Sequence, residues 1–276
     1  MAYPVISAPY GLKPINLIGG QVFAGSTRDY AIANGYNTSI FFGDCVGLVR
    51  GNLERITVET GAAGTLVGVF LGCSYTNPTT KQKQFAQYWP AGTAAGDAVA
   101  IVCDDPDTVF KAVVCSSGTT IASGARAMIG QNLAMINNTG LTSSGDSRNA
   151  VLAPDNTPLT TAALPLRVLG LVPETAVSLG NATYTSISTA TVTCSALPFA
   201  LPVGTDVGSL DSNGNYIPSG SFVDTAASAN ATSFVLNQAP SAAFAASATL
   251  VFTQFPEILV KLNHGQHEYY NATATA

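Results

Sequence analysis

Short runs rich in β-branched and aromatic residues, each stopped by Gly, Pro, Asn or Asp, constrain this chain more than any other feature. Thr38-Ser39-Ile40-Phe41-Phe42 ends at Gly43-Asp44, Cys45 to Val49 follows, and Ile56-Thr57-Val58 leads into a Gly-rich turn at 61–64. Leu66 to Tyr75, Ala98 to Cys103 and Thr108 to Val114 continue the series. Runs this short and this often punctuated predict strands, and hence an all-β chain. The glycines within 66–75 predict bending or close backbone approach. The corner Asp104-Asp105-Pro106-Asp107 reads as the turn of a hairpin, with Cys103 and Cys115 on its two arms.

Residues 116–163 are different, dominated by Gly, Ser, Asn and Thr. Ala125 to Ile136 is the one stretch that could be helical, but Gly130 interrupts it and its apolar residues do not repeat at 3.6, so the region reads as loops and short strands. Leu164 to Val172 is again a core strand. Tyr184 to Cys194, Thr205 to Ile217, Ser233 to Leu236 and Ala248 to Phe252 predict a second β module, with a tight turn at Asp211-Ser212-Asn213-Gly214-Asn215. Glu257 to Leu262 then alternates with period 2. A strong strand returning after a low-charge excursion suggests an insertion. The expected architecture is a β-sandwich or β-barrel-like core over 21–175 and 256–268. An extended arm at 1–20 precedes it, a second β domain at 176–255 is inserted in it, and a tail at 269–276 follows.

Composition narrows the function. Only 10% of the 276 residues are Asp, Glu, Lys or Arg, although 47% are hydrophobic, and soluble proteins carry roughly 25% charged residues. Much of the exterior must therefore be neutral, and part of it is expected to be covered by other subunits. The formal net charge is −5, with 11 basic and 16 acidic residues. No basic stripe could neutralise a row of phosphates, which disfavours nucleic acid as a partner. No membrane partner is expected, and the first residues lack a basic region followed by an apolar run. Five cysteines at wide spacings read as buried free thiols.

Two surfaces stand out. Residues 1–20 are broken by Pro4, Pro9 and Pro14 yet carry Tyr3, Val5, Ile6, Tyr10 and Leu12. Such a segment either closes the core as a first strand or lies as an arm along a neighbouring subunit. Tyr3, Val5, Ile6, Tyr10, Gly11, Leu12, Lys13 and Pro14 are the candidate contacts of the second arrangement. Phe85, Tyr88 and Trp89 beside Lys81 and Lys83 form either a sheet-edge cluster closing the core or a surface platform. Catalytic signals are weak. His264 and His267 are the only histidines and follow the order His-x-x-His-Glu, not the metal-binding His-Glu-x-x-His. Asp104, Asp105 and Asp107 read as a corner capping its own backbone. The 211–215 turn lacks the Gly and Glu spacing of a calcium loop. The five glutamates lie outside aromatic-lined segments, so a carbohydrate-active enzyme is the weakest class considered. No metal, cofactor or catalytic residue is expected.

Several segments resemble the small capsid decoration or cement proteins of tailed bacteriophages, of the podovirus-like marine and cyanophage type. They are Tyr10-Gly11-Leu12-Lys13-Pro14-Ile15-Asn16, Phe23-Ala24-Gly25-Ser26-Thr27-Arg28, Ile32-Ala33-Asn34-Gly35-Tyr36 and Gly68-Val69-Phe70-Leu71-Gly72-Cys73. Gln87-Tyr88-Trp89-Pro90-Ala91-Gly92, Leu164-Pro165-Leu166-Arg167-Val168-Leu169 and Leu259-Val260-Lys261-Leu262-Asn263 complete the set. The resemblance covers roughly 8–172 and 257–267 and leaves 176–254 outside it. It implies a non-enzymatic virion protein on the outer capsid surface, assembled in the host cytoplasm, with the major capsid protein and further copies of itself as partners. A homotrimer at local three-fold positions is expected, a dimer being the runner-up. A tail, head-fibre or receptor-binding component is the competing class, although the chain shows neither repeat nor long shaft.

Overall fold

A computed structural model describes residues 6–57, 66–153, 164–209, 217–218, 220–239 and 247–270. Among them the fold is all-β, with three sheets and only 3-10 turns between strands. No helix among the described residues is long and apolar enough to cross a membrane. The 211–215 turn lies outside the described residues.

The first sheet runs in the order Arg28–Ala31, Val99–Cys103, Gly68–Thr76, Cys45–Val49 and Asn52–Arg55, with Lys83–Ala86 added to Gly68–Thr76. The second follows the path Asn132–Leu133, Leu166–Leu171, Glu257–Leu262, Thr108–Ser117, Ala150–Leu152 and Met135–Ile136. Lys13–Leu17 and Thr120–Ile121 also pair with Thr108–Ser117. Every pairing is antiparallel except that of Thr108–Ser117 with Ala150–Leu152. The third sheet is ordered Asp206–Ser209, Thr249–Gln254, Val177–Ser188, Thr191–Cys194, Ser233–Leu236 and Val223–Thr225.

Strand alternation explains how the first two sheets share a core. Cys45, Val69 and Cys103 of the first sheet meet Phe110, Ala112, Val114, Leu166, Val168, Ile258 and Val260 of the second in one buried cluster. Residues one step along, Val46, Phe70 and Val102, point to the opposite face and are covered by Ile40, Trp89 and Ala98. A bulge between Phe70 and Gly72 inserts one extra residue, so Cys73 and Tyr75 join Phe70 on that face. Gly68 is a point of close approach, since a Cβ there would lie 2.2 Å from the Cys103 carbonyl oxygen. The third sheet has a cluster of its own, with Phe199 and Phe234 edge-on to Phe252. It abuts the rest near Ser123, whose hydroxyl accepts the Phe255 N–H at 3.0 Å.

Two sequence expectations need correction. Thr38 to Phe42 is not a strand: Asp44 closes a turn on it, its carboxylate accepting the Phe41 N–H at 2.9 Å, and Ile40 keeps a single bridge to Trp89. Residues 103–108 are not a hairpin, because Val99–Cys103 and Thr108–Ser117 lie in different sheets and the corner carries the chain between them. Ala125 to Ile136, read as loops and short strands, does hold two short strands and one 3-10 turn, Arg126–Met128.

Candidate functional site

The N-terminal segment is built into the subunit from Tyr10 onward. Lys13–Leu17 pairs antiparallel with Thr108–Ser117, placing Lys13 opposite Lys111 and Pro14 opposite Phe110. Leu12 is 2% exposed within the shared core. Its burial contributes about 1.5–3 kcal/mol. Gly11 donates its N–H to the Asn149 carbonyl at 3.0 Å, and Leu12 donates to that of Gly43 at 3.0 Å. Ile6 packs beside Val113, Cys115 and Ala150, half-buried. The residues from Tyr10 to Pro14 thus form a first strand and its lead-in, the alternative to a free arm, because the core has a place for each apolar side chain. Tyr3 and Val5 lie outside the described residues.

The structure separates the three aromatic candidates. Trp89 is fully buried, donating its indole N–H to the Tyr36 carbonyl at 3.2 Å and packing edge-on to Tyr75. Tyr88 stacks on Phe41, with ring centroids 5.5 Å apart. Phe85 alone faces outward, 82% exposed on the edge strand Lys83–Ala86. Phe85→Ser is therefore expected to change stability by no more than about 0.5 kcal/mol in urea unfolding. A loss above about 2 kcal/mol, the scale of a buried aromatic, would show that Phe85 packs on its own subunit.

Three buried carboxylates form polar centres whose partners come from distant segments of the chain. Asp44 is fully buried; its Oδ2 lies 2.9 Å from Arg55 Nε, and its Oδ1 accepts from Ser147 Oγ at 2.6 Å and Asn149 Nδ2 at 2.9 Å. Burial raises the Asp44 carboxyl above the usual range, and Arg55 and these hydrogen bonds pull it back. Glu257, 1% exposed, accepts the Tyr10 hydroxyl and lies 3.3 Å from Lys111 Nζ. Burial, then the bond to Glu257, pushes the Tyr10 phenol upward. Asp104 accepts from Tyr30 at 2.9 Å and from Tyr269, and pairs with Arg28 Nε at 3.0 Å. Its neighbour Asp105 accepts the Asp107 N–H at 2.9 Å, as expected of a self-capping corner.

The five cysteines are free and buried. Cys103 belongs to the shared core and Cys115 to the opposite face of the second sheet, so their side chains are separated by the backbone. Burial raises the Cys73 thiol to about 12 and those of Cys103 and Cys115 to about 11. Among the described residues no group of three or more His, Cys, Asp or Glu side chains could hold a metal ion. The carboxylates are engaged by their own chain and tie distant segments together. No family model matches the chain, and comparison with curated proteins and with solved structures finds no match.

Proposed function

We propose that the chain is a structural virion protein that binds the outer surface of an assembled major-capsid-protein shell and stabilises it as a cement or decoration protein. The observation that carries this reading is the charge-poor exterior. Only 27 residues are charged, and Asp44, Asp104, Glu257 and Lys261 are buried, with the Arg55 side chain only 12% exposed. Ile18, Val22 and Phe85 stand exposed at 49%, 76% and 82%. A neutral surface bearing isolated apolar side chains suits a subunit that spends its life in an assembly. The bacteriophage-like segments at Tyr10–Asn16, Gln87–Gly92 and Leu259–Asn263 point the same way.

In this reading the first two sheets are a sandwich facing the shell, and 176–255 is an inserted domain facing outward. Copies associate as a homotrimer, and multiple weak contacts across neighbouring capsomers hold the shell. Because Tyr10 and Leu12 are used internally, any arm contact to a neighbour falls to Tyr3 and Val5. The test is co-sedimentation of the full chain, and of a variant lacking residues 1–5, with shells assembled from the major capsid protein alone. Saturable binding of the full chain is expected, with reduced occupancy for the truncated one. Failure of the full chain to sediment with shells overturns the reading, while equal occupancy of the two removes only the arm.

A further inference from the structure

The second-sheet strand Glu257–Leu262 does not end the fold. The chain continues through the 3-10 turns His264–Gln266 and Glu268–Tyr270 back to the first sheet. There Leu66 donates its N–H to the Gln266 carbonyl at 3.2 Å and accepts the Glu268 N–H at 2.8 Å. The hydroxyl of Tyr269 reaches Asp104 and Tyr30, and its ring lies 5.5 Å from the Arg28 guanidinium. His267 sits at the centre of this clasp, fully buried. Its Nε2 is 3.2 Å from the Asp104 carbonyl oxygen, and its Nδ1 is 3.3 Å from the Tyr269 backbone N–H. One nitrogen thus faces an acceptor and the other a donor. Only the neutral imidazole protonated on Nε2 satisfies both.

We propose that residues 264–270 are an acid-released latch, in which protonation of His267 turns Nδ1 from acceptor to donor against the Tyr269 N–H and frees the segment from Leu66 and Asp104. Every group around the ring enters this balance. Burial lowers the His267 pKa from its ordinary value; the Asp104 carbonyl and carboxylate and the Val67 carbonyl oppose the shift, and His264 adds to it. Arg28 and Tyr30 hold the Asp104 carboxylate from the strand Arg28–Ala31. On the latch's own turns, Tyr269 and Tyr270 pack against the imidazole. Burial raises the Glu268 carboxyl, so protonating Glu268 favours the closed form and does not drive release. Lys261 and Asp107 lie beside His264, at the exposed end.

The sign follows from the direction of the shift. A histidine held neutral in the fold contributes stability above its unfolded pKa of about 6.5, and that stability is lost as pH falls through the lower folded value. Release uncovers Leu66, now 1% exposed, and the backbone groups that pair with 266 and 268.

The experiment is amide hydrogen exchange of the full chain, as protection factors at about pH 7.5 and about pH 5, with Trp89 fluorescence reporting the global fold. Protection over 264–270 is expected to fall at least about tenfold on acidification while Trp89 stays buried. His267→Gln, whose amide can donate and accept without titrating, should abolish that response, and His264→Gln should keep it. Should His267→Gln not fold, the imidazole titration of the unaltered protein by NMR serves instead, with a His267 midpoint below the ordinary histidine value of about 6.5 expected. Unchanged protection at about pH 5, loss only together with Trp89 burial, or the full response surviving in His267→Gln would each overturn the latch.

Discussion

Arg55→Met is expected to destabilise the fold by about 3–5 kcal/mol at neutral pH, because it leaves the Asp44 carboxylate buried without its cation. Asp44 is 0% exposed, and the Arg55 guanidinium also donates to the Asn138 carbonyl at 2.7 Å and Asn149 Oδ1 at 3.2 Å. The Phe41, Ser147 and Asn149 donors remain in the variant, so the loss should fall toward the lower end of the range. The pH dependence has a definite sign. Burial already raises the Asp44 carboxyl, and removing the cation raises it further. A carboxyl raised in the fold costs stability above its folded pKa and is relieved as pH falls through it. The deficit should therefore be largest near neutrality and shrink on acidification. Adding Asp44→Asn should recover part of it, and a double-mutant cycle in urea unfolding measures the coupling. A neutral-pH loss below about 1 kcal/mol would mean that Asp44 is solvated.

Gly11→Val is expected to cost about 2–5 kcal/mol, combining the left-handed backbone penalty of about 1–2 kcal/mol with overpacking of about 1–3 kcal/mol. Gly11 has φ +75°, and a Cβ there would meet the Gly43 carbonyl oxygen at 2.6 Å and Ser147 Cβ at 2.7 Å. The first contact is with backbone and cannot be relieved by a rotamer change. A free arm would tolerate valine with a change within about 0.5 kcal/mol. Thermal unfolding of this single variant thus decides whether the segment from Tyr10 belongs to the subunit's own fold.

How much of this was legible depended on how local the signal was. Ser233–Leu236 was readable because its apolar residues alternate with one face buried, and Glu257–Leu262 because a β-branched and aliphatic run is buried there on both faces. The expected Tyr184 to Cys194 run proved to be two strands joined at Thr189, whose φ is +54°. No Gly or Asn at that position announced the turn. The Asp104–Asp107 corner read as a hairpin because short loops usually join neighbours; which sheet each strand enters depends on partners distant in sequence. The polar centres were the least legible of all. Tyr10 and Glu257 are 247 positions apart, and Asp44 and Asn149 are 105 apart. No local pattern marks a carboxylate whose donors come from so far away.

A cryo-EM map of the intact particle carrying this chain tests the proposed shell binding. Density for the first two sheets should lie on the outer face of the capsid lattice, with residues 176–255 pointing away from it and copies clustered about local three-fold positions. Density for the chain on the tail or a fibre, or its absence from the particle, would contradict the account.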